Sequence, residues 1–189
     1  MRQVKKRTAL VSVIIAVCIL LAAGVGFTVA YLASRSLTLD NTFTVGDVDI
    51  TLTESQTEEY MILPGAKVAK DPTVTVKGGS DDCWLFFTVE ASSDFGHYMT
   101  YNVAEGWNPL KGETDVYYRA VDKAVGDRAF NLIKDNAVTV YDTVTEEELE
   151  LIRNKPTLAF KAYAIQYAEI DSAEEAWDIL KEEQLNEAA

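Results

Sequence analysis

His97 and Cys83 are the side chains whose chemistry would matter first. His97 is the single histidine of the chain and Cys83 is one of two cysteines. An imidazole beside a thiol is a nucleophile–base pair, but no flanking signature accompanies these two. A reactive cysteine needs an exposed, electropositive setting. Cys83 instead opens the run Cys83–Ala91, in which Cys83, Leu85, Phe87 and Val89 fall on one face, so it reads as a small buried hydrophobe. A Ser-His-Asp triad would have to use His97 and lacks a nucleophile elbow: Gly78-Gly79-Ser80-Asp81-Asp82 carries Asp where the motif requires its last glycine. A zinc peptidase helix needs two histidines one turn apart. Asp47 with Asp49 and Asp81 with Asp82 offer oxygens of the kind calcium prefers. No EF-hand loop frames them, and solvated turns are the expectation. Glycine-rich phosphate loops are absent from the sequence. The reading is therefore of no catalytic residues, no cofactor, no metal ligands, and a protein that is not an enzyme.

Charge narrows the partners. The chain has 17 Lys+Arg against 30 Asp+Glu over 189 residues, a net −13. Residues 1–30 hold Arg2, Lys5, Lys6 and Arg7 and no acid, so their +4 leaves −17 on the remainder. So acidic a body is not expected to bind nucleic acid, where lysine and arginine contacts to phosphate dominate, nor to dock on an anionic membrane surface.

The basic start is followed by Ala9–Ala30, 22 residues without a charge. A helix of that length satisfies its own backbone in lipid, and the flanking bases hold the N-terminus inside, sending the rest outward. Thr28-Val29-Ala30 places small residues at the −3 and −1 positions of a cut between Ala30 and Tyr31, which marks a secretory signal. Cleavage there is the expectation, and a retained single-pass anchor is the alternative. Contact with a membrane is expected only through residues 9–30. Once these residues are removed, Cys83 is the sole thiol, so the exported part (31–189, read as one domain) has no internal disulfide.

From Ser36 the pattern becomes β. Leu37, Leu39, Asn41, Phe43 and Val45 alternate with polar residues. Gly46-Asp47 reads as a turn, and Val48, Ile50 and Leu52 start a second strand. Leu63-Pro64-Gly65 is a turn signal. Further strands are expected over Val74–Lys77, Cys83–Ala91, Tyr98–Val103, Val116–Val121, Ala137–Tyr141 and Thr157–Tyr167. Cys83–Ala91 and Thr157–Tyr167 are apolar on both faces, as in a central strand covered twice or at an interface. Two helices carry capping boxes, Thr145 with Glu148 and Ser172 with Glu175. Ala173, Ala176, Trp177 and Leu180 make the apolar stripe of the second. The fold class expected is mainly β: a jelly-roll-like antiparallel β-sandwich with two short helices, behind an N-terminal hydrophobic signal helix.

The order of these pieces resembles a known family. An export signal ends near Ala30-Tyr31-Leu32; Asn41-Thr42-Phe43-Thr44-Val45-Gly46-Asp47-Val48-Asp49-Ile50 follows; then come Leu63-Pro64-Gly65 and Val74–Ser80 before an aromatic strand. The ending, Phe160–Gln166 and then Ala173-Glu174-Glu175-Ala176-Trp177, is a strand followed by a helix. The pattern is similar to that of the TasA/camelysin family of Gram-positive bacteria, exported with a SipW-type signal peptidase. The resemblance implies a jelly-roll subunit of extracellular biofilm-matrix fibres, in which one subunit's N-terminal strand completes its neighbour's sheet. Camelysin was named as a metallopeptidase; with no recognisable zinc-ligand set in this sequence, that activity is not carried over.

The physics of such assembly stands apart from the resemblance. Open sheet edges leave unpaired N–H and C=O groups, and an extended strand from another chain can pair with them. Tyr31–Phe43 suits the role, with Leu37, Leu39 and Phe43 as the side chains that would fill a groove. Head-to-tail donation does not close and gives filaments. The expected partners are thus a signal peptidase during export and further copies of the chain, as a homo-oligomer or filament. Ser36–Val45 can equally pair within its own sheet as a storage state. A membrane-anchored monomeric binding module and a secreted peptidase of the camelysin type are the other two readings.

Overall fold

The computed structural model describes residues 37–39, 42–55, 62–150, 152, 156–167 and 169–187. The expected signal helix and cleavage pair, Ala30 and Tyr31, lie outside these residues. Among the described residues no helix is long and apolar enough to cross a membrane.

The chain from Ser36 onward is mainly β, and its strands form three sheets. The first has the order β1 (Leu37–Leu39), β3 (Ile50–Glu54), β5 (Thr73–Val76), β10 (Arg128–Asn131). The second is β4 (Lys67–Ala69), β11 (Ala137–Val140), β7 (Met99–Thr100). The third is β2 (Thr42–Val45), β12 (Leu158–Gln166), β6 (Cys83–Ala91), β9 (Val116–Val121), β8 (Asn108–Pro109). Successive strands pass from one sheet to another, so few sequence neighbours pair directly. That is the non-local connectivity of a sandwich.

Period-two alternation decides which side chains meet. Ile50, Leu52, Val74 and Val76 of the first sheet, Val68, Val138 and Val140 of the second, and Leu85, Phe87, Val89, Phe160, Ala162 and Ala164 of the third share one buried core. The opposite face of the third sheet is covered as well. Trp84, Phe86, Tyr163 and Ile165 pack with Ala173, Ala176, Trp177 and Leu180 of the helix α3 (Ala173–Glu187). This explains why β6 and β12 are apolar on both faces: sheet lies on one side and helix on the other. Large residues face small ones across the pair, Phe87 opposite Ala162 and Leu85 opposite Ala164. Each fully buried side chain of this size contributes about 1.5–3 kcal/mol.

The capping box at Thr145 forms in full, and the one at Ser172 forms in part, its Glu175 carboxylate taking the Asp171 amide instead of that of Ser172. The Glu148 amide donates to Thr145 Oγ1 at 3.2 Å and the Thr145 amide to Glu148 Oε2 at 2.8 Å, opening α2 (Glu146–Glu150). The Glu175 amide donates to Ser172 Oγ at 3.2 Å, and the Asp171 amide to Glu175 Oε2 at 3.2 Å, at the start of α3.

Four details differ from expectation. The segment expected as one strand over Ser36–Val45 is two: β1 pairs antiparallel with β3, and β2 pairs parallel with β12. One strand of the set, β2, is therefore parallel to its neighbour. Tyr98–Val103 is not a continuous strand; a helical turn, α1 (Phe95–Tyr98), precedes the two residues of β7, and Val103 makes only an isolated bridge to Ile133. That turn adds a helix to the two expected. The strands β4, β8 and β10 were not foreseen: β4 and β8 have two or three residues, too few for a period to register, and β10 opens with Arg128 where an apolar residue would mark the period.

Candidate functional site

The residues expected to carry assembly sit on the strap formed by β1 and β2. Leu37 pairs in register with Glu54, and Leu39 with Leu52, on the outer side of β3. Phe43 pairs with Tyr163 on the outer side of β12, is half-buried, and packs against the helix-side core. Both β1 and β2 are terminal strands of their sheets. One short segment therefore covers the edges of two different sheets. Without it, the N–H and C=O groups on the outer sides of β3 and β12 would have no partner strand.

Gly46 ends the strap. Its φ is +86°, and an ideal Cβ there would lie 2.8 Å from both Cβ and Oε1 of Gln166, the last residue of β12. Only glycine turns the chain here while lying so close to its neighbour strand. Gln166 in turn donates through Nε2 to Asp81 Oδ2 at 2.9 Å.

The paired aspartates lie in loops that hydrogen bonds tie together beside this turn. The Asp81 amide donates to the Asp47 carbonyl at 3.0 Å, and the Asp49 amide to Ser80 Oγ at 3.0 Å. Asp81 binds the Lys123 ammonium at 2.5 Å, and Asp82 accepts the Lys123 amide. Asp127 accepts the Gly78 amide at 2.8 Å and the Lys77 ammonium at 3.2 Å. The Gly78 hydrogen bond, and then Lys77, hold the Asp127 carboxyl below its ordinary range. These carboxylates act as loop clips. Among the described residues no three or more His, Cys, Asp or Glu converge as a metal site.

Cys83 and His97 lie apart in role. Cys83 is fully buried at the start of β6, and burial pushes its thiol up to about 12. A group so placed is protonated at neutral pH and is no nucleophile. His97 lies on α1 with its ring edge-on to Tyr98 at 4.7 Å.

One constellation had no place in the sequence reading. Arg119 of β9 lies with its guanidinium carbon 3.9 Å from the Phe130 ring centre and 5.3 Å from that of Trp107. The available signal was its parity: Tyr117, Arg119 and Val121 share one strand face, and an arginine between two core-facing residues is an anomaly.

No family model, curated protein or solved structure matches this chain.

Proposed function

We propose that this chain is an exported, non-catalytic structural subunit that assembles with copies of itself by donating its N-terminal strap, in the manner its likeness to the TasA/camelysin family implies. A SipW-type peptidase would release it between Ala30 and Tyr31, and its destination would be the extracellular or biofilm matrix.

The observation that carries this reading is the strap's double pairing. Residues 37–39 lie along the outer side of β3 and residues 42–45 along that of β12. Their lost main-chain pairs can be restored by the same segment of another copy, in the same register, without any change elsewhere. The folded monomer is then the closed counterpart of a link in a chain. Strand exchange of identical elements is a low-cost route between such states. The −17 carried beyond residue 30 opposes side-by-side clumping until salt screens it.

The test uses the protein as its producing cells release it. Mass measurement of its N-terminus is expected to find Tyr31; an intact Met1 supports the anchored monomer instead. Electron microscopy at rising concentration is expected to show filaments, and a chain lacking Tyr31–Asp40 is expected to stay monomeric. Equal assembly of the shortened chain removes strand donation as the mechanism.

A further inference from the structure

The cations of this acidic body meet different surroundings, and Lys111 and Lys134 form no ion pair among the described residues. Lys67, Lys70, Lys77, Lys123, Lys161 and Lys181 each pair with a carboxylate. Arg119 and Arg128, the arginines among the described residues, pair with none of them. Both instead lie over one ring, Phe130 of β10, at 3.9 and 5.6 Å.

The Arg119 guanidinium is held in place but not satisfied. Phe130 and Trp107 fix its plane, and Trp107 is itself anchored by a 2.9 Å hydrogen bond from Nε1 to the Asn131 carbonyl. Its Nε is buried and has no acceptor among the described residues. A guanidinium carries five N–H donors in a rigid fork. Stacking accounts for the flat face and supplies none of these donors with an acceptor. Gly106 keeps the rim clear: its φ is +87°, and an ideal Cβ there would stand 3.4 Å from each terminal nitrogen of Arg119. Burial and the neighbouring charge of Arg128 both press against the Arg119 cation, and an anion at this point would relieve both. Arg128 spends one donor on the Asp122 carbonyl at 3.0 Å and keeps the others.

The fork fits a planar, two-oxygen acceptor. The commonest such group available to this protein is a carboxylate of another copy, since acids outnumber bases 30 to 17. Phe130 and Arg128 lie on β10, the outermost strand of the first sheet, whose far side has no partner strand among the described residues. An extended segment laid along that side would bring its own side chains to the two arginines.

We propose that Arg119 and Arg128 form a clamp around Phe130 that takes a carboxylate from a second copy of this chain, seated along the free edge of β10. The choice of partner rests on the self-assembly reading; the clamp's preference for a carboxylate does not. This contact is separate from the strap, so a subunit would meet its neighbours at two places.

Two measurements on the protein as its producing cells release it separate the possibilities. In the first, dilute ¹⁵N-labelled protein is titrated with glutarate, and the Arg119 Nε–H signal is expected to shift and saturate. A signal that does not respond overturns the clamp. In the second, sedimentation velocity follows self-association of R128Q and R119K, with thermal unfolding as the check on folding. Association is expected to weaken about tenfold or more, as when one member of a desolvated bidentate pair is removed. Lysine in place of Arg119 keeps the charge and loses the fork, so a full effect in R119K marks geometry rather than net charge. A glutarate response with unchanged association in both variants overturns the second copy as the source of the carboxylate. If the unmodified chain does not associate at all, the filament reading fails, and with it the second copy as the source. The glutarate response then decides the clamp's carboxylate preference alone.

Discussion

Along β6 and β12, nine residues face nine in unbroken register, from Leu158 opposite Ala91 to Gln166 opposite Cys83. β2 meets the same β12 over four residues, with side chains alternating between exposed and half-buried. The main-chain hydrogen bonds are of one kind in both places. The difference lies in what stands above and below them. Phe87 has Trp107 edge-on at 4.8 Å and Tyr117 stacked at 5.0 Å, while Phe86 and Tyr163 both pack on Trp177 within 5.3 Å. β2 has no comparable enclosure: its Phe43 is only half-buried. Backbone pairing sets where a strand goes; burial of its side chains sets whether it can leave. A sheet built this way has an enclosed centre and a lightly covered edge, and the strand-donation proposal requires that edge to exchange.

The sharpest way to break that contrast is at the centre. Phe87→Ala empties a fully enclosed aromatic site and is expected to cost about 3–5 kcal/mol, read from urea unfolding of the full chain. Phe43→Ala on the strap should cost much less, about 1 kcal/mol for a half-buried ring, yet change filament formation more than Phe87→Ala does at equal folded fraction. Equal stability losses at the two positions would mean that the strap is as fixed as the core.

How far this was legible in the sequence follows from the same contrast. The two-faced apolar runs Cys83–Ala91 and Thr157–Tyr167 announced a doubly covered centre, because nine residues give period two room to register. Both capping boxes were legible because their chemistry is local. The division of Ser36–Val45 between two sheets was not: alternation states which side chains share a face but not which strand lies alongside. The strand Arg128–Asn131 was hidden because Arg128, lying over the Phe130 ring, takes a position where the pattern asks for an apolar residue. Arg119 illustrates the limit from the other side. Its parity with Tyr117 and Val121 was visible, but its partners Trp107 and Phe130 come from elsewhere in the chain, and only the fold brings them together.

Gly46→Ala tests the hinge between strap and body. A left-handed backbone costs an ordinary residue about 1–2 kcal/mol, and the new methyl would also push Gln166 aside, breaking its hydrogen bond to Asp81. The expected outcome is a modest fall in unfolding temperature together with faster amide exchange in β2, while β6 keeps its protection. Uniform loss of protection across both strands would show that strap and centre open as one unit.

The gentlest probe is the buried thiol. Cys83 has an ordinary value of 9.0, raised in the folded chain to about 12, chiefly by desolvation and then by the charge of Asp82. Below pH 9 the thiol is protonated whether the chain is folded or not, and it leaves stability unaffected. Between pH 9 and about 12 the unfolded chain releases the proton and the folded chain keeps it. The unfolded state then binds fewer protons, so stability falls as pH rises through this window. Lys123, Lys161 and Lys181, all raised mainly by hydrogen bonds to carboxylates, lose their pairs above 10.5, so the thiol must be isolated by difference. In a Cys18→Ser background, adding Cys83→Ala is expected to flatten part of the alkaline decline in urea midpoint and leave the acid side unchanged. In the same background at neutral pH, a disulfide reagent should label Cys83 only as fast as β6 opens, and more slowly than amides exchange in β2. Labelling that keeps pace with exchange in the strap would erase the distinction between a permanent centre and an exchangeable edge.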